Sequence, residues 1–302
     1  MKAIPRQLIN QAFKEHEQNL FEKSNVVGIG IGEKIQGGIP KGFLSLKVYV
    51  EKKVARAQLS KENCVRGKLS GIETDVEEVG KLIAQSNTER YRPALGGVSI
   101  GHYKITAGTL GCLVKDRRTG QSFILSNNHV LANSNNAKKK DPILQPGQYD
   151  GGKRPKDTIG YLDQWVEVQF DNQPNFIDAA LAKPKSESMV KPEILQIGIP
   201  TGIGKPTLGM FVQKSGRTTG YTTGKIKDMS ATVKVQYDKK TALFRSQILT
   251  TAMSKGGDSG SLVLDEKKRA VGLLFAGSDV VTICNPIQEV MRLLGVEIIL
   301  GP

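Results

Sequence analysis

Cysteine is scarce in this chain, with three residues, Cys64, Cys112 and Cys284, among 302. An odd, sparse set argues against a disulfide framework. The fold must then rest on a buried apolar core, which a chain of this length can supply. Each cysteine reads most simply as a small buried residue. Histidine is equally rare, with three, and tryptophan occurs once. No stretch approaches the ~20 apolar residues of a membrane span, so a membrane partner is not expected. The opening Met1-Lys2-Ala3-Ile4-Pro5-Arg6 lacks the apolar segment of a secretory signal. With no disulfide pattern either, the expected location is the cytoplasm. No metal and no cofactor is expected. The glycines of Gly28-Ile29-Gly30-Ile31-Gly32 are not spaced as a dinucleotide loop, and no helical pattern follows them. They read as part of a tightly packed strand.

The chain is instead rich in glycine, with 33 residues, and carries a net charge of +14. The charge could steer acidic partners or simply confer solubility. Lys138-Lys139-Lys140 has no interleaved aromatics, so it offers no base-stacking platform, and nucleic acid is not an expected partner.

Two regions differ in pattern. Residues 5–23 place Leu8, Ile9, Ala12, Phe13, Leu20 and Phe21 at helical spacing. A hairpin pattern follows over 26–32 and 43–50, and residues 72–79 could add a strand. Residues 1–92 therefore read as a small α+β accessory domain, regulatory or a pro-domain. From 93 onward, short apolar segments separated by Gly, Pro, Asn or Asp turns dominate, which indicates a sandwich or barrel. The predicted strands are 109–115, 121–127, 159–170, 177–183, 210–214, 221–227, 231–237, 243–249, 261–264, 270–276 and 280–284. A helix is predicted after Pro286. The fold class is mainly β.

Chemistry concentrates in Gly257-Asp258-Ser259-Gly260. A serine between glycines on a tight turn can act as a nucleophile, and the N–H groups of Gly257 and Ser259 can hold an oxyanion. Such a serine needs a base, and the base needs an orienting acid. His129 ends the apolar run Phe123-Ile124-Leu125-Ser126-Asn127-Asn128, where a strand end can project it into a cleft. Asp178 lies among Phe176, Ile177, Ala179 and Ala180, a costly place for a carboxylate without a partner.

The order His129, Asp178, Ser259 resembles that of the chymotrypsin/trypsin-like serine proteases. Asn127-Asn128-His129-Val130 is similar to the HtrA-type bacterial members. Lys214-Ser215-Gly216-Arg217-Thr218-Thr219-Gly220 is similar to a segment of the α-lytic and streptogrisin-type proteases. The resemblance spans about residues 95–297. It implies a protease domain over 93–302 built from two β-barrels, about 95–183 and 200–285, followed by a helix over 286–294. It implies a serine endopeptidase working on protein or peptide substrates through an acyl-enzyme, with His129, Asp178 and Ser259 as triad. The alternative is a catalytically silent protease-fold binding or regulatory protein. A regulatory partner could act through the N-terminal domain. Secreted relatives often carry a half-cystine near Cys112, but Val130 stands where its partner would be.

The resemblance also requires a cation for Asp258. Lys214 matches the position used in α-lytic-like relatives, and Arg217 is the alternative. Six residues before the nucleophile, where trypsin-like recognition of Arg or Lys needs Asp, stands Met253. With Ala276 and Gly277 on the wall, a small or apolar specificity residue is expected. Asp279 would restore basic specificity if it lined the pocket. Phe275 replaces the serine that often backs the triad Asp, and Gly260-Ser261 replaces the usual Gly-Gly.

Overall fold

The structure, a computed structural model, describes residues 5–80, 87–171 and 173–301. The chain divides into two compact units, Met1–Gln85 and Ser86–Pro302. The second begins seven residues before the start expected at 93. Asn87 belongs to it, because the Asn87 amide donates to the carbonyls of Gly97 and Gly216 at 3.0 and 2.7 Å.

In the first unit, helix α1 (Arg6–Phe21) is followed by strands β1 (Val26–Gln36), β2 (Ile39–Val50), β3 (Lys68–Leu69) and β4 (Ile72–Glu78). The sheet order is β1-β2-β4-β3, with β2 and β4 parallel. The apolar stripe of α1 buries Ile9 and Ala12 with Leu46 and Ile72, and Leu20 with Val48 and Val50. Gly28, Gly30 and Gly32 lie within β1. A side chain at Gly28 or Gly30 would press on the Tyr49 ring, and one at Gly32 on Lys47. Lys47 lies 2.8 Å from both Asp75 and Glu77, which satisfies its nearly buried ammonium.

The second unit opens with β5 (Ala94–Gly96), β6 (Ser99–His102), β7 (Gly108–Thr109), β8 (Cys112–Asp116) and β9 (Ser122–Ser126). The one-turn helix α2 (Asn128–Leu131) precedes β10 (Pro142–Leu144), β11 (Thr158–Trp165), β12 (Pro174–Asn175) and β13 (Ala180–Pro184). The sheet runs β9-β13-β11-β10-β6-β7. The chain passes from β7 straight into β8, which pairs with β9 and closes the barrel. Alternating side chains fill it, including Ile100, Leu113, Ile124, Ile143, Leu162 and Ala182.

After β14 (Val190–Ile194) and β15 (Gly202–Ile203) come β16 (Phe211–Gly216), β17 (Gly220–Tyr237), β18 (Lys240–Thr251), β19 (Leu262–Asp265), β20 (Arg269–Gly277) and β21 (Val281–Pro286). Each of these six pairs with the next around a ring: β16-β17-β18-β21-β20-β19 and back to β16. This is a second closed barrel. The segments expected at 221–227 and 231–237 form the single strand β17, whose pairing with β18 shifts register near Ile226, Asp228 and Ala231. Bulges keep a long strand paired while it bends, which is why the sequence pattern breaks there. Helix α3 (Ile287–Leu294) buries Ile287, Val290, Met291 and Leu294 and ends at left-handed Gly295. The chain then adds β22 (Val296–Ile298), which pairs with β8 of the first barrel. That strand has no counterpart in the sequence expectation, being only three residues long.

The barrels meet where Gly260 faces β7 and the end of β9. A side chain at Gly260, whose φ is +97°, would lie 2.2 Å from Ser126 Oγ and 2.2 Å from Thr109 O. Gly260→Ala should therefore destabilise the protein by at least about 2 kcal/mol, from overpacking combined with left-handed strain. Chemical denaturation would check this, and an unchanged midpoint would mean that the seam opens freely.

Candidate active site

His129 lies in α2, not at the end of a strand. The two asparagines before it hold that helix in place. The Asn127 amide donates to Asp178 O at 2.7 Å, and the Asn128 amide donates to Val166 O at 2.7 Å. Asp178 precedes β13 and is fully buried. Its Oδ2 lies 2.6 Å from His129 Nδ1, and its Oδ1 accepts the His129 backbone N–H at 3.2 Å.

The second barrel supplies two further partners to Asp178. The Tyr237 hydroxyl donates to Oδ2 at 2.7 Å, and Asn285 Oδ1 accepts the Asp178 backbone N–H at 3.0 Å. Gln247 accepts from the Asn285 amide at 2.7 Å and so fixes which oxygen Asn285 presents. Burial by itself would raise the Asp178 carboxyl. The adjacent His129, by charge and hydrogen bonding, and the Tyr237 hydroxyl together outweigh burial and hold it below the ordinary carboxylate value. Tyr237 itself is pushed well above the usual phenol value by burial and by the Asp178 charge, so it stays a proton donor.

Ser259 lies on the turn between β18 and β19. Its hydroxyl donates to Phe275 O at 3.3 Å, and no hydrogen bond joins it to His129. Thr109 clamps this turn from the first barrel: its N–H donates to Ser259 O at 2.7 Å and its hydroxyl to Gly257 O at 2.9 Å. Gly257 has φ +96°, and a side chain there would strike Thr218 Oγ1 at 2.4 Å. Ser261 also serves the turn, donating to Asp258 O at 2.6 Å.

Asp258 is fully buried and collects four donors besides its ion pair. The N–H groups of Thr218 and Thr219 reach Oδ1 at 2.8 and 3.0 Å. The Thr219 hydroxyl and the Lys255 N–H reach Oδ2 at 2.6 and 2.9 Å. Lys214 Nζ lies 3.3 Å from Asp258 Oδ2, with both side chains out of solvent. Lys214 also donates to Thr219 Oγ1 and Gly220 O. Burial lowers its ammonium below the ordinary value, and the Asp258 charge only partly opposes this. Arg217 is not beside Asp258 in this way. Its guanidinium forks onto Asp150 at 2.5 and 2.8 Å and lies over the Tyr149 ring. A planar fork suits a carboxylate presenting two oxygens, while the buried slot at Asp258 admits a slender ammonium.

Two depressions flank these groups. A cavity of about 290 Å³ beside Ser259 is lined by Ser254, Lys255, Gly256, Ala276, Gly277, Ser278 and Asp279. Met253 does not line it. The expected floor residue is 4% exposed and packs with Val212, Ile226, Ile248 and Leu274 inside the second barrel. Past the end of β18, Met253 turns into the barrel, its N–H donating to Thr282 Oγ1 at 3.1 Å, and Ser254 faces the cavity, its hydroxyl 2.7 Å from the same Oγ1. A second cleft of about 620 Å³ adjoins His129 and runs between Lys104–Thr106 and the β17–β18 tip, Val235–Asp238. Ala276 and Gly277 line both.

Among the described residues, no group of three or more His, Cys, Asp or Glu side chains could hold a metal ion. Among the same residues, no helix is long and apolar enough to cross a membrane. Tyr237, Thr109 and Asn285 escaped the sequence reading, because each is an ordinary strand residue whose importance lies only in what it meets.

Solved structures share this fold. Protease A of Thermobifida fusca superposes with a TM-score of 0.50 at 20% identity, covering 68% of this chain and 98% of its own. A glutamic acid specific serine protease gives 0.51 at 20% identity, covering 68% and 100%. Nocardiopsis protease gives 0.50 at 18% identity, covering 67% and 97%. No protein of curated function matches the chain by sequence. Residues 108–273 match the model of the trypsin-like peptidase domain. That span runs from β7 into β20 and holds the His129, Asp178 and Ser259 segments, and the chain belongs to the trypsin-like peptidase family.

Proposed function

We propose that the chain is a serine endopeptidase whose nucleophile is Ser259. The observation that carries this reading is the hydrogen-bonded pair of buried Asp178 and half-buried His129, together with a Gly-flanked serine turn. Ser259 Oγ attacks the scissile carbonyl as His129 Nε2 takes its proton. Asp178 holds the imidazole in the tautomer that leaves Nε2 free and stabilises the imidazolium. The N–H groups of Gly257 and Ser259 receive the oxyanion. His129 then protonates the leaving amine, and water, activated by the same imidazole, hydrolyses the acyl-enzyme. The present orientation of the Ser259 hydroxyl toward Phe275 O is compatible with this. Catalytic hydrogen bonds in unliganded enzymes often form only with substrate bound.

Lys214 serves as the internal cation for Asp258, so activity needs no newly cut N-terminus. The three cysteines are unpaired, which fits a reducing compartment such as the cytoplasm. The N-terminal unit is an accessory domain for regulation or substrate capture. The silent-binder reading is separated by a fluorophosphonate probe. Labelling of the intact chain that disappears in Ser259→Ala supports the enzyme, and no labelling of folded protein supports the binder.

The cavity beside Ser259 fits a small, uncharged specificity residue. Its lining is mostly small; Asp279 does line it, but that carboxylate is solvent-exposed and is offset in sign by the exposed Lys255 of the same lining. In a peptide panel varied only at that residue, Ala, Ser or Val should exceed Arg by at least about tenfold in kcat/KM. A side chain at Gly277 would come within 3.1 Å of Ser254 Oγ and 2.9 Å of Val281 O. Gly277→Val should therefore reduce kcat/KM for the Val peptide about 10–100-fold. Strong Arg preference would overturn the assignment.

A further inference from the structure

We propose that Tyr237 is a positioning residue for the Asp178–His129 pair, delivered by the tip of the β17–β18 hairpin. The inference rests on the protease reading above and adds a group to it. Oδ2 of Asp178 accepts two hydrogen bonds, from His129 Nδ1 at 2.6 Å and from the Tyr237 hydroxyl at 2.7 Å. The two donors fix the carboxylate plane, and with it the direction of the imidazole. The position that could otherwise carry a hydroxyl toward this carboxylate is Phe275, whose ring instead packs on Phe244 at 4.7 Å. No side-chain hydroxyl can come from there.

Tyr237 is held for this task from three sides. Its ring stacks on Phe244 at 6.2 Å, meets Phe170 edge-on at 5.6 Å, and meets the His129 ring at 77° and 5.9 Å. The hydroxyl of the half-buried Tyr237 is thus a donor with a fixed aim, set against a carboxylate that is itself out of solvent. A hydrogen bond to a desolvated anion is among the stronger ones in a protein. The hairpin has no need of a polar group at that point for its own pairing, because Tyr237 pairs with Lys240 through the backbone. The same tip, Val235–Asp238, walls the cleft beside His129. The element that aims the base therefore also borders the bound peptide.

Tyr237→Phe keeps the three ring contacts and removes only the hydroxyl. In the full chain, kcat should fall about tenfold with KM unchanged, because the group acts on the base and not on the peptide. With one donor lost, the carboxylate charge rests more on the imidazole. The acid limb of the pH–activity profile should then move to higher pH, and the low-field Nδ1 proton of His129 in the NMR spectrum should move further downfield. Difluorotyrosine at 237, with a more acidic hydroxyl in the same shape, should move that proton upfield. The NMR readings need no turnover, so they test Tyr237 even if Ser259 fails to label with a fluorophosphonate. An Nδ1 proton unchanged in both variants, with wild-type kcat and pH profile for Tyr237→Phe, would overturn the inference. So would loss of activity in Tyr237→Leu alone, since ring packing would then be the whole contribution.

Discussion

Ser259→Ala should lower kcat by about 10⁵–10⁶-fold while leaving the fold unchanged. The hydroxyl makes one hydrogen bond, at 3.3 Å to Phe275 O, so its loss removes little that the structure depends on. The turn itself is held by groups other than the hydroxyl, namely Thr109 to Ser259 O and Gly257 O, and Ser261 to Asp258 O. The variant should therefore melt with the wild type and still bind peptide. A residual rate of about 10³–10⁴-fold over water is expected from oxyanion stabilisation and binding alone. Single-turnover kinetics on a purified peptide substrate would measure both numbers. A loss of less than tenfold would remove Ser259 from the reaction.

Lys214→Met carries the second large effect, this time on stability. Removing one member of a buried ion pair leaves the other charge without compensation, which typically costs 3–5 kcal/mol. Asp258 keeps four other hydrogen bonds, so the lower end, about 3 kcal/mol, is expected. The loosened carboxylate sits next to Ser259, and kcat should fall about 10²-fold as the oxyanion turn loses its aim. Adding Asp258→Asn to Lys214→Met should restore more than half of the lost stability without restoring kcat, because the amide removes the charge but not the need for a shaped turn. Urea denaturation of the two single variants and the double variant gives the coupling. Independent, additive losses would show that the two groups do not act as a pair.

The local chemistry of the site was legible in the chain because it resides in short motifs. Gly257, Asp258, Ser259 and Gly260 are consecutive, and the φ values of +96° and +97° at the two glycines explain why no other residue stands there. Asp178 announced itself as a carboxylate among apolar neighbours, and with only three histidines in the chain few could be its partner, which is His129. The small N-terminal unit was legible for a similar reason, since a helical stripe and a hairpin are periodic over short windows.

Where the reading went astray, the deciding contacts were distant. Lys214, the first candidate for the Asp258 cation, and Arg217, the alternative, are three residues apart and equally basic, so the sequence left both open. Only the position of Asp150, brought close by the first barrel, draws Arg217 away and leaves Lys214 beside Asp258. Met253 and Ser254 are adjacent, and the closure of the second barrel decides which faces the cavity. Residues 87–92 read as the end of the first unit, yet Asn87 bonds to Gly97 and Gly216 in the second.

The sequence by itself determined the mainly β fold, the two-part organisation, and the residues proposed as nucleophile, base and acid. These depend on local periodicity and on backbone conformations that glycine permits. Tertiary structure alone decided the partners of Asp178, the cation beside Asp258 and the lining of the cavity next to Ser259. Each is a contact between segments far apart in the chain, such as Tyr237 on Asp178 across 59 positions. Such contacts arise when closed barrels bring strand ends together, and barrel closure leaves no local mark on the residues it joins.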